Sequence, residues 1–138
     1  MSRDSGGETK QVIAIAPIDT TAATLTGVAI DRRGYQDAVF SFQRGEDSGS
    51  PDDFAMTGKV QESDTTSNAD FADISGAAIT TLTQDSEVNA ISNLRVDLRN
   101  RKRYIRAVSA VSFTNGSSPK LAAAVLCTLG NADVIPTT

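Results

Sequence analysis

The side chains able to do chemistry in this 138-residue chain are carboxylates, guanidinium groups and one thiol; histidine and tryptophan are absent. Without histidine there is no Ser-His-Asp or Cys-His nucleophile system and no histidine-ligated zinc or iron site. That leaves the carboxylates as the candidates for acid–base work. A glycosidase holds two of them about 5–10 Å apart in a cleft, usually among aromatic sugar platforms. Here the acids fall in polar stretches with no tryptophan nearby, the pattern of solvated loops. Glu46-Asp47 and Asp52-Asp53 put oxygen ligands for a calcium ion in one stretch, but the spacing lacks the alternating ligands, central glycine and terminal glutamate of an EF-hand. Cys127 has no partner for a disulfide and no histidine to activate it, so it reads as a small buried hydrophobe. Neither Gly-x-x-x-x-Gly-Lys-Ser/Thr nor Gly-x-Gly-x-x-Gly occurs. The expectation is a non-enzymatic protein without a cofactor or a dedicated metal.

The basic residues are less easily set aside. The chain has 13 basic and 17 acidic residues, a net charge of -4. That argues against whole-surface binding to nucleic acid or to an anionic membrane. The charges are unevenly spread. Glu46, Asp47, Asp52, Asp53, Glu62, Asp64, Asp70 and Asp73 fall in residues 46–73, where Lys59 is the only base. Arg95, Arg99, Arg101, Lys102, Arg103 and Arg106 fall in residues 95–106, where Asp97 is the only acid. If the fold keeps the two segments on different faces, the molecule is polarised and suited to docking on a charged partner. The basic run itself has three readings: a solvated turn between strands, a protein interface in which arginine forks meet carboxylates, or phosphate contacts with Tyr104 stacked on a base.

The elements that must position these groups are β-strands. Residues 1–9 are polar, with Gly6-Gly7, and read as a flexible N-terminal arm; residues 10–138 read as one domain. Strands are expected over residues 12–15, with Pro17 and Asp19 interrupting, and over 24–30, closed by a tight turn at Asp31-Arg32-Arg33-Gly34. Residues 35–43 place Ala38, Phe40 and Phe42 on one face. Residues 44–53 read as the longest loop. Phe54, Met56, Gly58 and Val60 then alternate with polar residues, the period of a half-buried strand. Residues 62–70 form a second polar loop whose return Phe71 and Ile74 anchor. Residues 79–83 are a further candidate strand. Ala90, Ser92, Leu94, Val96 and Leu98 share a face opposite Arg95, Asp97 and Arg99. Residues 104–113 form a long β-branched strand turning at Asn115-Gly116. Residues 120–129 close the set; they could pass for a helical turn at the alanines, but strand fits the context, with Gly130-Asn131 ending it and Pro136 blocking extension. About eight antiparallel strands at this rhythm predict an all-β fold, a single β-sandwich or jelly-roll-like domain. No apolar run reaches the roughly 18 residues of a membrane span, and no signal peptide is visible, so a soluble, reducing compartment such as a host cytoplasm is expected.

Taken in order, several segments carry a resemblance. Val60-Gln61-Glu62-Ser63-Asp64 leads through a polar loop to Phe71-Ala72-Asp73-Ile74. Leu94-Arg95-Val96-Asp97-Leu98, Arg101-Lys102-Arg103-Tyr104-Ile105-Arg106-Ala107-Val108, and Ala122-Ala123-Ala124-Val125-Leu126 with Leu129-Gly130 follow. This order, over about residues 24–131, resembles the small β-sandwich capsid decoration (cement) proteins of tailed bacteriophages. The resemblance implies a virion structural protein on the outer capsid surface, binding the major capsid protein and self-associating, with a homotrimer as the expected state. An arm at residues 1–9 and a strand at 10–16 ordered only on a partner would suit such a role. The partner-binding candidates are Lys10, Val12, Arg99, Arg101 and Arg103. A tail or head–tail joining protein and a carbohydrate-binding β-sandwich are the alternatives.

Overall fold

The structure is a computed structural model, and it describes residues 9–132. The strands in chain order are β1 (Lys10–Thr20), β2 (Ala23–Thr26), β3 (Ile30–Asp31), β4 (Tyr35–Ser48), β5 (Asp53–Met56), β6 (Lys59–Ser63), β7 (Ala72–Ala78), β8 (Leu82–Thr83), β9 (Ile91–Asp97), β10 (Tyr104–Thr114) and β11 (Lys120–Ala132). The helical content of the described residues is a single 3-10 turn, Asn68–Asp70. One sheet runs β1-β11-β4-β9; the other is built around β10. All pairings are antiparallel, and the two sheets pack as a sandwich. No helix among the described residues is long and apolar enough to cross a membrane.

The eleven segments occupy eight strand positions. Val111 opposite Met56 and Val108 opposite Lys59 keep one register across Thr57 and Gly58, so β5 and β6 are one interrupted strand. On the other side of β10, β2 and β3 are one strand with a one-residue slip at the break. β7 and β8 continue each other along the outer side of β6 and β5. The first sheet therefore contains the first, eighth, third and sixth positions, and the second contains the second, seventh, fourth and fifth. That crossing pattern is a double-sheet jelly roll.

Alternation decides which side chains face inward. Phe40 and Phe42 from β4, Phe54 and Met56 from β5, Val60 from β6, Val96 from β9, Ile105 and Val111 from β10, and Leu121, Val125, Cys127 and Leu129 from β11 meet in one core. Burying each large apolar side chain stabilises the fold by about 1.5–3 kcal/mol before entropy is charged. A Cβ on Gly58 would lie 2.6 Å from the Phe42 ring, so glycine is what lets the ring fill the space at the β5–β6 break. At the β2–β3 break, Gly27 N–H donates to Ala107 O at 2.7 Å and Val28 N–H to Ala14 O at 3.0 Å. A Cβ on Gly27 would meet those same two carbonyls.

Five sequence expectations are corrected. Residues 44–48 belong to β4, because β11 offers a ladder partner along this length, including Lys120 opposite Ser48. Pro17 does not end β1; two register shifts absorb it and the strand continues to Thr20. The strand expected at 24–30 is split at Gly27, and that at 79–83 shrinks to Leu82–Thr83 beside the longer β7. β11 passes through Gly130 and Asn131 to Ala132. Residues 120–129 are strand, not helix. The arm expected at 1–9, apart from Thr9, and the stop at Pro136 lie outside the described residues.

Candidate functional site

The basic segment turns the corner from β9 into β10. Asn100 takes the left-handed backbone such a turn needs, with φ 64°, and Arg101 N–H donates to Leu98 O at 3.0 Å. Just before it, Asp97 accepts from Arg99 three ways: the backbone N–H at 3.0 Å, Nε at 3.1 Å and Nη2 at 2.8 Å. Those hydrogen bonds hold the Asp97 carboxyl down at about 2, below the usual aspartate range, and raise the Arg99 guanidinium. Arg103 donates to Asp31 Oδ2 through Nη2 at 2.9 Å and Nε at 3.3 Å. This lowers the Asp31 pKa and raises that of Arg103. Arg103 also lies 5.0 Å from the Tyr104 ring centroid. From the other side, Arg32 donates to Lys102 O at 3.0 Å and to Arg101 O.

The fold does not keep the acidic and basic segments wholly on different faces. β6 is the ladder neighbour of β10, with Glu62 opposite Ile105 and Gln61 opposite Arg106. The acids of residues 62–73 therefore lie beside the bases. Arg101 Nη1 meets Glu62 Oε2 at 3.1 Å, Lys102 N–H donates to Glu62 Oε1 at 2.8 Å, and Lys102 Nζ lies 3.9 Å from Asp64. Lys59 Nζ lies 3.0 Å from Asp73 Oδ1, and Gln61 Nε2 donates to the same oxygen at 2.8 Å. Bonds from Gln61, then Lys59, lower the Asp73 pKa. The arginine forks do meet carboxylates, but within one chain. The other acids brace turns: Asp53 Oδ1 accepts from Phe54 N–H at 2.8 Å and Gln84 N–H at 3.0 Å, and Asp52 Oδ2 from Asn115 Nδ2 at 2.6 Å.

The other candidates lie elsewhere. Lys10 and Val12 sit on β1, opposite Leu129 and Cys127 of β11. The segment expected to be ordered only on a partner is thus paired within its own chain, because Val12 and Ile15 have core to cover. Lys10 is exposed and is not brought together with Arg99, Arg101 and Arg103, which sit at the β9–β10 corner. Cys127 is fully buried, and desolvation pushes its thiol up to about 12; it is core, as its neighbours implied.

Two features were not legible beforehand. Arg44 continues the inward face of β4 and is 2% exposed. Its Nη1 donates to Gly45 O at 2.9 Å, its guanidinium lies 4.7 Å from the Phe54 ring centroid, and its Nε has no partner. The alternation after Phe42 pointed to it, had residues 44–48 been read as strand. Secondly, two open depressions mark the flanks. One, about 550 Å³, is floored by Ala122 to Ala124 and walled by Ile18 and Ile91. The other, about 280 Å³, separates β7 from β9 and is lined by Arg95, Asp97, Arg99 and Arg101.

Fold and site together define a two-sheet jelly roll in which the basic residues of the β9–β10 corner pair with Asp31, Glu62, Asp64 and Asp97. No protein-family model matches the chain, and no curated protein matches it. Among solved structures it is similar to a chain of the Bacillus endospore appendages, a family of disulfide-linked pili, at 16% identity and a TM-score of 0.37, covering 96% of this chain and 98% of that one. It is also similar to the Tobacco streak virus coat protein, at 12% identity and a TM-score of 0.34, covering 99% of this chain and 96% of that one. At such scores neither likeness assigns a role to this chain.

Proposed function

We propose that this is a non-enzymatic virion structural protein, a capsid decoration or cement protein that binds the outer surface of the major capsid protein lattice and stabilises the head. The observation that carries the reading is the strand order, a double-sheet jelly roll of the kind used by viral capsid domains. The motif order of residues 60–74, 94–108 and 122–130 supports it. So does the character of the charged groups: the carboxylates with shifted pKa are lowered by cation and amide partners, whereas a general acid needs one raised. A homotrimer bound to the capsid at subunit junctions is the assembly this reading implies.

Jelly rolls also serve lectins, which makes a carbohydrate-binding module the second reading. It is disfavoured by the aromatics. Phe40, Phe42 and Phe54 are core, Phe71 is covered by Arg106 and Tyr104 by Arg103. No aromatic is among the exposed large side chains. Electron cryomicroscopy of virions carrying the chain tests the proposal: density on the outer shell at subunit junctions is the expected result. Density confined to the tail or the connector would move the protein to a joining role, and glycan binding by the isolated monomer would favour the lectin reading.

A further inference from the structure

Among the described residues the two sheets have four outer edges, and three of them are blunted in the ways that keep edge strands from pairing. β1 carries Pro17 and two register shifts. β7 carries a register shift and Gly76 at φ 79°. The β2–β3 position is broken at Gly27. β9 differs: it pairs with β4 from Asp97–Asp37 to Ile91–Gln43 without a shift, and it ends its sheet.

The ladder fixes which backbone groups that edge presents. Leu98 N–H donates to Gln36 O at 2.8 Å, and Arg44 N–H to Ala90 O at 3.0 Å, both between directly opposed residues. Hydrogen-bonded and non-bonded pairs alternate along an antiparallel ladder. Ser92, Leu94 and Val96 therefore bond to β4, while the N–H and C=O groups of Ile91, Asn93, Arg95 and Asp97 turn to the free edge. The cleft of about 280 Å³ between β9 and β7 lies beside Arg95 and Asp97, at one end of this edge. Its charged lining is Arg95, Arg99, Arg101 and Asp97, and each arginine already meets one carboxylate: Asp37, Asp97 and Glu62 respectively. The arginines keep donors to spare: Arg95 commits Nη2 to Asp37 and Arg101 commits Nη1 to Glu62, out of five N–H groups each. Arg95 and Arg99 are 73% and 70% exposed.

We propose that the cleft between β9 and β7 is a docking site for an extended, acidic segment of a partner polypeptide. The segment adds to β9 as a new edge strand and sets carboxylates against Arg95, Arg99 and Arg101. Main-chain bonds to Ile91, Asn93, Arg95 and Asp97 supply affinity, and the arginine forks supply sign selectivity. A strand of about seven residues spans the edge. The site does not depend on the virion reading, since a chain absent from every phage head could still bind such a segment here.

The test is amide exchange by NMR on the full chain, with the octapeptide (Thr-Glu)4 as probe and (Thr-Lys)4 as control, both at millimolar concentration. In the free protein the amides of Ser92, Leu94 and Val96 should be protected, and those of Ile91, Asn93, Arg95 and Asp97 should exchange freely. The acidic peptide should slow the second set; the basic one should not. Asn93→Pro removes an N–H that points off the edge and leaves the β4 ladder intact, so it should weaken binding about tenfold. Should that variant fail to fold, Arg99→Glu, on an exposed side chain, should weaken binding several-fold and most at low salt. Equal binding of both peptides, protection elsewhere or no protection would overturn the proposal. So would odd-residue protection in the free protein that grows with its concentration, because a second copy would then occupy the edge.

Discussion

Arg106 sits over the ring of Phe71, its guanidinium carbon 4.1 Å from the centroid, while Nε donates to Gln61 Oε1 at 2.9 Å and Nη1 to Asn68 Oδ1 at 2.6 Å. One side chain from β10 thus pins the 3-10 turn and the start of β7. Although basic and outward-facing, Arg106 is only 9% exposed.

Removing the ring or the cation should loosen that loop. Cation–π pairs contribute about 0.5–2 kcal/mol, and Arg106→Ala also leaves the Gln61 and Asn68 oxygens without a donor. A double-mutant cycle of Phe71→Ala and Arg106→Ala, read by urea unfolding, should give a coupling energy of at least about 0.5 kcal/mol. Additive effects would show that the stacking is idle. Arg106→Lys should not rescue, because an ammonium cannot hold both bonds and cover the ring.

Acid should destabilise the fold over a defined window. Asp31, Asp73 and Asp97 all have lowered pKa values, Asp97 to about 2. A group depressed in the folded state contributes stability above its unfolded value, near 3.9, and loses it as pH falls through the folded value. The urea midpoint should hold from neutrality to about pH 5 and decline between about pH 4 and 2. Asp31→Asn should flatten part of that slope, and salt should reduce it, since these pairs are largely exposed. A midpoint independent of pH would contradict the assignment.

Arg44 is a buried cation with one carbonyl partner, one ring and an unbonded Nε. Replacing buried charge with an apolar side chain of similar length is often neutral or stabilising. Arg44→Met should raise the unfolding free energy by about 1 kcal/mol, whereas Arg44→Ala should lower it by opening a cavity. A destabilised Arg44→Met would mean that the guanidinium has a stronger partner than Gly45 O.

The Cys127 thiol should be silent in the native protein. With its pKa pushed up to about 12 by burial, almost no thiolate exists at pH 8, and reaction with an aromatic disulfide reagent requires unfolding. Labelling should follow the global unfolding rate, rising steeply near the urea midpoint. Rapid labelling in native buffer would place the thiol at the surface.

Period-two spacing made the strands and their faces legible: Ala38-Phe40-Phe42, Phe54-Met56-Gly58-Val60, and Leu94 and Val96 of β9 with Leu98 just beyond it point as their spacing requires. Turns with strong local chemistry were legible too, at Gly34 and at Asn115-Gly116, where φ is positive. Strand ends at residues 44–48 and 130–132 were not, because a polar stretch stays extended when a long partner strand is beside it, and that partner lies far away in sequence, as Ser48 opposite Lys120 and Ala132 opposite Tyr35 show.

Charge shows the division most clearly. The sequence by itself determined that acids crowd residues 46–73 and bases residues 95–106, and that neither histidine nor a second cysteine is present to react. Only the tertiary structure decided that Glu62 and Asp64 meet Arg101 and Lys102, because the jelly-roll crossing makes β6 the neighbour of β10. It likewise decided that, among the described residues, β9 ends its sheet with a regular outer edge. Side-chain alternation is local, set by the pleat of one strand. The choice of neighbour is non-local, set by how the whole chain closes its two sheets.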